Sequence, residues 1–376
     1  MKKILFVFPD MNQGGTPYLL HLLSKMLSKY YDCRLAIFRN IQQYSFSGKI
    51  YDLKSPSSRN PAKILFYIFK RMILIRNIIK KDGIDLLFSH ALISNFIAIL
   101  VKKYFKLDIP LIVTFHTPVK MGVKDMGAPG YIAKWIIVRN MKYIDKIICV
   151  SEGLRQELHS IGFPLELIVK IYNPVDIELV KKSITKEPDK EFAIMKENPG
   201  TIIISAGRLV KAKNYSLLVE AFNIVRKKKK CKLIIIGDGS QMEELTEKVD
   251  RLGLSGEVIF PGWKDNPFNW IAHADVFVLS SSWEAFGNVI IEAFACNTPV
   301  VSTDCPVGPG EIITHGVDGL LANAEDKDDL AAKILLLLSD EKLYNALIRN
   351  GRKRADDFKI ENQAKNYVKV LDPFLN

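Results

Sequence analysis

Short runs rich in Ile, Val, Leu and Phe alternate with stretches of helical periodicity along nearly the whole chain. This alternation constrains the fold more than any other feature. Parallel strands can be joined only by crossovers of about a dozen residues or more, so a run followed by a helix reads as a βαβ unit. Strands are expected at Lys3–Phe8, Cys33–Phe38, Asp85–Ser89, Leu111–Phe115 and Lys146–Val150, with helices at Pro17–Lys29, Ala62–Lys80 and Gly130–Tyr143. The stretch Tyr172–Asp176, with the polar residues that follow it to Gly200, reads as a linker. The pattern then restarts, with strands at Thr201–Ser205, Lys232–Ile236, Val258–Phe260, Val276–Leu279, Pro299–Ser302 and Gly319–Leu321. Helices are expected there at Tyr215–Val225, Gln241–Leu252, Gly287–Ala295, Lys327–Ser339 and Glu341–Phe358. The strands are apolar throughout, as when helices cover both sheet faces. A chain of 376 residues exceeds what one core supports, about 250–300 residues. Two doubly wound α/β domains with parallel sheets facing a cleft are therefore expected, at residues 1–175 and 177–358.

Other features narrow the class. The five cysteines are scattered, and none has metal-ligand spacing. A zinc site and a disulfide framework are disfavoured, and a reducing compartment is the simpler reading. The N-terminal apolar run stops at Pro9-Asp10, too short for a signal-peptide core. No apolar stretch approaches the ~18 residues of a membrane span. Residues 1–175 hold 26 Lys+Arg and 11 Asp+Glu, a net of +15, and the remainder hold 27 and 30, a net of −3. Such asymmetry points the first half at a polyanion or an anionic surface.

Ligands of open parallel sheets bind beyond the carboxyl ends of strands, so the chemistry is sought there. After the first strand comes Asn12-Gln13-Gly14-Gly15-Thr16-Pro17, which matches neither the dinucleotide-binding fingerprint nor a P-loop. Its glycines let backbone approach a ligand, and a helix start favours an anion. After the first strand of the second half comes Ser205-Ala-Gly207-Arg208-Leu-Val-Lys211-Ala-Lys213-Asn214. Its cations suit phosphate, Arg as a planar fork and Lys as a point charge. The third motif, Ser280 to Ala293, carries Glu284 and Glu292 on either side of Phe286-Gly287-Asn288-Val289. The carboxylates lie up to about 12 Å apart if the whole stretch is helical. That separation suits hydroxyls at both ends of a ligand, with a phosphate between them facing helix-start amides. The apolar residues before Glu292 suggest burial, where an unpaired carboxylate is costly. Asp326-Lys-Asp328 is a D-x-D sequence, but it sits where an aspartate would cap the next helix. No metal site is expected.

As a set, these motifs resemble the retaining glycosyltransferases of family 4, which have the GT-B fold. The resemblance rests on Arg208 and Lys213, on the E-x7-E of Glu284 and Glu292, on Thr298 to Asp304, and on Gly308-Pro-Gly-Glu311 and Gly316-x-x-Gly319. Gly14-Gly15, Val113-Thr-Phe-His116 and Ser151-Glu-Gly153 match more weakly, and the run Asp304 to Glu311 is most similar to enzymes of lipopolysaccharide cores and surface glycans. Thr16-Pro17 departs from that subgroup's pattern. The resemblance implies transfer, with retention, of a hexose or N-acetylhexosamine from a nucleotide sugar, UDP-linked, to a lipid-linked or lipopolysaccharide acceptor. It implies that Arg208 and Lys213 neutralise the leaving diphosphate, with Gly15 beside Gly14 and Gly207 bringing backbone to it. Glu292 would hold the ribose and Glu284 the donor sugar, with the amides of Phe286, Gly287, Asn288 and Val289 completing the site. His116 would lie near the sugar or the acceptor, and residues 360–376 would cross back to the first domain. No cofactor or metal is implied.

The basic half then has a target. Ala62–Lys81 mixes many apolar residues with Lys70, Arg71, Arg76, Lys80 and Lys81, and Trp135–Lys142 is similar in kind. Such helices lie on anionic membranes. These five cations are expected to face the inner surface of the cytoplasmic membrane. No motif that reads nucleic acid is present. A nucleotide-sugar epimerase on the same two domains, and a non-enzymatic membrane- or nucleic-acid-binding protein, remain as alternatives.

Overall fold

The computed structural model describes residues 1–12, 14–56, 58, 60–196 and 200–375. The chain divides into two compact units, Met1–Pro174 with Ile360–Asn376, and Val175–Lys359. In the first unit, β1 (Lys3–Phe8), β2 (Asp32–Ile37), β3 (Lys49–Asp52), β4 (Leu86–His90), β5 (Leu111–Phe115), β6 (Lys146–Cys149) and β7 (Ile168–Lys170) form one sheet. Its order is 3-2-1-4-5-6-7 and its pairings are parallel. In the second unit, β8 (Thr201–Ala206), β9 (Cys231–Ile236), β10 (Val258–Ile259), β11 (Val276–Leu279), β12 (Val300–Asp304) and β13 (Leu320–Asn323) pair in parallel in the order 10-9-8-11-12-13. Both are doubly wound, so strand order reverses at β1/β4 in one unit and at β8/β11 in the other. A crevice at the carboxyl ends of the strands opens at such a switch point.

Side-chain caps start many of the helices. Asn60 accepts from the amides of Ala62 and Lys63 to open Pro61–Asp82, and Asp176 accepts from Leu179 to open Ile177–Ser183. The helix Ile360–Leu371 returns to the first unit. Its Ala364, Tyr367 and Leu371 join the core of Phe6, Phe88, Ile112 and Ile148, and Tyr31 donates a 2.6 Å hydrogen bond to Asp372. The second core gathers Ile203, Leu218, Phe222, Leu233 and Val278.

The expected linker is in part structured. Helices Ile177–Ser183 and Lys190–Lys196 lie within it, and Phe192 is fully buried edge-on to Trp270 at 5.5 Å. Residues 197–199 lie outside the described residues. Edge strands β3 and β7 and the helices Leu92–Tyr104, Val119–Met126 and Glu152–Ser160 add to the expected elements.

Candidate active site

The loops after β8 and β11, on either side of the second unit's switch point, are laced together. Ser282 donates its amide to Ala212 O at 2.9 Å, and Ser280 Oγ donates to Lys213 O at 2.9 Å. The short 3₁₀ turn Lys211–Lys213 ends at Asn214, which is left-handed and caps the helix Tyr215–Val225. That turn directs Lys213 Nζ onto Glu284 Oε1, an ion pair that Ser281 Oγ supports with a 2.7 Å hydrogen bond to the same oxygen. Gly207, at φ 156°, leaves room for this. A Cβ there would stand 2.9 Å from Tyr215 Oη and 3.5 Å from Lys213 Cε.

Phe286 is buried, and Gly287, at φ 106°, precedes the helix Asn288–Ala295. Gly308 approaches so closely that a Cβ on it would lie 2.4 Å from Phe286 O. Asn288 and Glu292 are one turn apart and share a helix face. The Glu292 carboxyl has no hydrogen bond or ion pair among the described residues. Burial raises its pKa to about 7, an effect that the nearby Lys213 ammonium opposes. Lys213 thus bonds one carboxylate while its charge acts on a second. Arg208 is exposed and its guanidinium is unpaired among the described residues.

In the first unit, Gly14 (φ 144°) precedes and Gly15 opens the helix Gly15–Leu27, while Gln13 lies outside the described residues. His116 follows β5. Its Nε2 lies 2.8 Å from Thr114 Oγ1 and 3.1 Å from Nδ1 of His90, a partner that the sequence pattern does not single out. The signal for it is a histidine at the carboxyl end of β4. Burial lowers the His116 pKa to about 4, and it holds His90, with His116 beside it, well below the usual imidazole range.

The expected membrane face needs one correction. Arg71 is buried, not outward: it donates to Ser55 Oγ and, at 2.8 Å, to Ser55 O, and its guanidinium lies 4.1 Å over the Phe38 ring. It shares a helix face with Met72, Ile75 and Ile79, which are also buried. Lys70 bonds Lys54 O at 2.7 Å and Arg76 lies over Phe105, while Lys80 and Lys81 are exposed. Leu65, Phe66, Phe69 and Ile73 of the same helix are exposed, as are Tyr131, Ile132 and Trp135 of Ala128–Arg139. Both helices pack on Leu92–Tyr104. Among the described residues no helix is long and apolar enough to cross a membrane, and no three His, Cys, Asp or Glu side chains are grouped as metal ligands would be. Asp326 caps the helix Lys327–Ser339, accepting from the amides of Asp328 and Asp329.

Two family models match the chain, glycosyl transferases group 1 over residues 186–354 and glycosyltransferase family 4 over residues 13–179. An uncharacterized glycosyltransferase of Methanocaldococcus jannaschii is 30% identical over 81% of this chain and 80% of its own. The N-acetylgalactosamine-N,N'-diacetylbacillosaminyl-diphospho-undecaprenol 4-alpha-N-acetylgalactosaminyltransferase of Campylobacter jejuni is 27% identical over 99% of this chain and 100% of its own. A lipopolysaccharide core biosynthesis glycosyltransferase of Rhizobium meliloti is 31% identical over 60% of this chain and 64% of its own. The crystal structure of Anabaena HepE in complex with UDP and glucose shares the fold, with a TM-score of 0.81 at 20% identity, covering 99% of this chain and 100% of that one. The chain belongs to the family 4, group 1 glycosyltransferases, with the GT-B fold, and is a glycosyltransferase.

Proposed function

We propose that the enzyme transfers a hexose or N-acetylhexosamine, with retention, from a UDP-sugar to a lipid-linked or lipopolysaccharide acceptor at an anionic membrane surface. The observation that carries the site assignment is Lys213, whose ammonium pairs with Glu284 while its charge acts on the unpartnered Glu292. Glu292 is half-buried and has no partner among the described residues; a carboxylate partly withdrawn from water and left unpaired is costly, and the paired hydroxyls of a ribose would satisfy it. Glu284 is then placed for the sugar hydroxyls. Lys213 and Arg208 meet the diphosphate, as do the amides of Phe286, Gly287, Asn288 and Val289 at the helix start. As the bond from the anomeric carbon to the phosphate oxygen breaks, its electron pair stays on the diphosphate. The two cations stabilise that growing charge. The acceptor hydroxyl attacks from the face the diphosphate leaves, and its proton passes to a departing phosphate oxygen. In the first unit, the roles assigned to Gly14 and Gly15 are backbone contacts to a donor phosphate, and the role assigned to His116 is contact with the sugar or the acceptor.

No metal is needed, because Lys213 and Arg208 supply the positive charge. Turnover is expected to survive exhaustive chelation; loss in EDTA that Mg²⁺ or Mn²⁺ restores would refute this. The UDP reading draws support from the UDP-bound structural relative, and the lipid-linked acceptor from the undecaprenol-linked substrate in the Campylobacter enzyme's name. The membrane reading rests on the +15 of residues 1–175 and on the exposed apolar residues of the two basic helices. Calorimetric titration with UDP tests the assignment. Glu292→Ala should weaken UDP binding and Glu284→Ala should leave it nearly intact. Equal losses would refute the division of roles.

A further inference from the structure

The carboxyl ends of β4 and β5 hold two imidazoles in one hydrogen-bonded cluster. His90, the last residue of β4, is fully buried and lies flat against Phe6, ring centroids 5.4 Å apart and planes 1° apart. His116 lies parallel to it on its own account, at 5.4 Å and 7°. Between them stands the Thr114 hydroxyl, 2.7 Å from His90 Nδ1, 2.8 Å from His116 Nε2 and 3.2 Å from Ser89 O. The facing ring nitrogens are 3.1 Å apart. The outer nitrogens, His90 Nε2 and His116 Nδ1, are buried and have no partner among the described residues.

This geometry restricts the protons. Burial keeps both rings neutral, so each carries one N–H. Two N–H groups facing each other at that distance would repel, and so would two bare lone pairs, so the facing nitrogens share one proton, with the Thr114 hydroxyl completing the cluster. The outer nitrogens are then opposite in kind. If His90 Nδ1 holds the shared proton, His116 Nδ1 is a donor; if His116 Nε2 holds it, His116 Nδ1 is an acceptor. A histidine tautomer is set by the hydrogen bond its other nitrogen makes.

We propose that His90 is a positioning residue for His116: through the shared proton and the Thr114 hydroxyl it sets whether His116 Nδ1 meets a sugar or acceptor hydroxyl as donor or as acceptor. His90 itself touches no substrate. The proposal rests on the placement of His116 in the transfer site given above, and its test separates the two. His90→Phe keeps a flat ring against Phe6 and removes both nitrogens. Thr114→Val keeps the shape and removes the hydroxyl. His90→Asn restores a polar atom near the Nδ1 position.

Two readouts are taken on the full chain: the ring ¹⁵N shifts of His116 with labelled histidine, and the kinetics of UDP release from UDP-glucose, UDP-galactose and their N-acetyl forms. His90→Phe and Thr114→Val should both change the His116 tautomer ratio. Both should lower kcat on the order of tenfold or more, with the KM for donor within about twofold, and His90→Asn should recover part of the kcat. Unchanged His116 shifts in His90→Phe and Thr114→Val would overturn the coupling, as would His90→Asn performing no better than His90→Phe. A His116→Ala variant with wild-type kcat would instead overturn the placement of His116, whatever the shifts show.

Discussion

Replacing Glu292 by Gln should make the protein more stable at pH 8 than the wild type, relative to their difference at acid pH. In the unfolded chain this carboxyl ionises near its ordinary value of 4.5; in the folded chain burial raises it to about 7. Between those values the folded state keeps a proton that the unfolded state releases. The favourable contribution is therefore full below pH 4.5 and lost as pH rises through about 7. A displacement of this size corresponds to about 3 kcal/mol. Glutamine has no proton to lose, and the cost of burying its amide does not vary with pH. The stability difference, variant minus wild type, should thus grow by about 2–3 kcal/mol between pH 4.5 and pH 8. Denaturant unfolding at several pH values reads it, followed by tryptophan fluorescence. Trp263, Trp270 and Trp283 all lie in the unit that holds Glu292, and only Trp135 lies in the other. A difference constant with pH would show that this carboxyl is not held protonated by its surroundings. The argument for an unpartnered ribose-binding acid would fall with it.

Other perturbations test neighbouring parts of the structure. Lys213→Ala should lower kcat by roughly 10²–10³-fold while donor affinity changes far less, because the diphosphate gains charge as it leaves; more than about half of wild-type kcat would sink that role, and Arg208→Ala should act in the same direction. Gly308→Ala forces a Cβ to 2.4 Å from Phe286 O and should weaken UDP binding. Gly316→Ala, also at positive φ but in open space, should leave it unchanged, and equal effects would mean that only backbone strain was felt. Arg71→Ser should lower stability by roughly 2–3 kcal/mol by breaking buried hydrogen bonds, read as a fall in Tm. Phe66, Phe69 and Trp135 changed together to Ser should instead leave Tm near wild type and reduce binding to anionic vesicles; undiminished binding would refute the docking face.

The strands were legible because a strand buried on both faces has one signature, an unbroken apolar run, which β1, β5, β8 and β9 carry. Elements without that signature were not. Strand β3, Lys-Ile-Tyr-Asp, is a partly exposed edge strand with no apolar run to find. Helix Leu92–Tyr104 buries Ser94 and Asn95 along with Phe96 to Val101, so it shows no polar face by which a helical period could be recognised. Arg71 shows the opposite failure. Its spacing from Ile75 and Ile79 marks the buried face, yet its charge placed it with the outward lysines, although a guanidinium can be buried where hydrogen bonds and an aromatic face satisfy it.

The Lys213–Glu284 pair joins residues 71 apart, which no local spacing rule connects. Both stand out in the sequence nonetheless, because topology puts the ends of β8 and β11 side by side and ligands of open parallel sheets bind at strand ends. The same rule applied at β4 shows how much one residue of register matters. An apolar run read as ending at Ser89 leaves His90 to the following loop, where a histidine carries little meaning. With β4 ending at His90, pairing with β5 sets His90 opposite Thr114, and Thr114 Oγ1 reaches both imidazoles. The last residue of a strand thereby decides whether His116 stands alone at the carboxyl end of the sheet or as one half of a hydrogen-bonded pair.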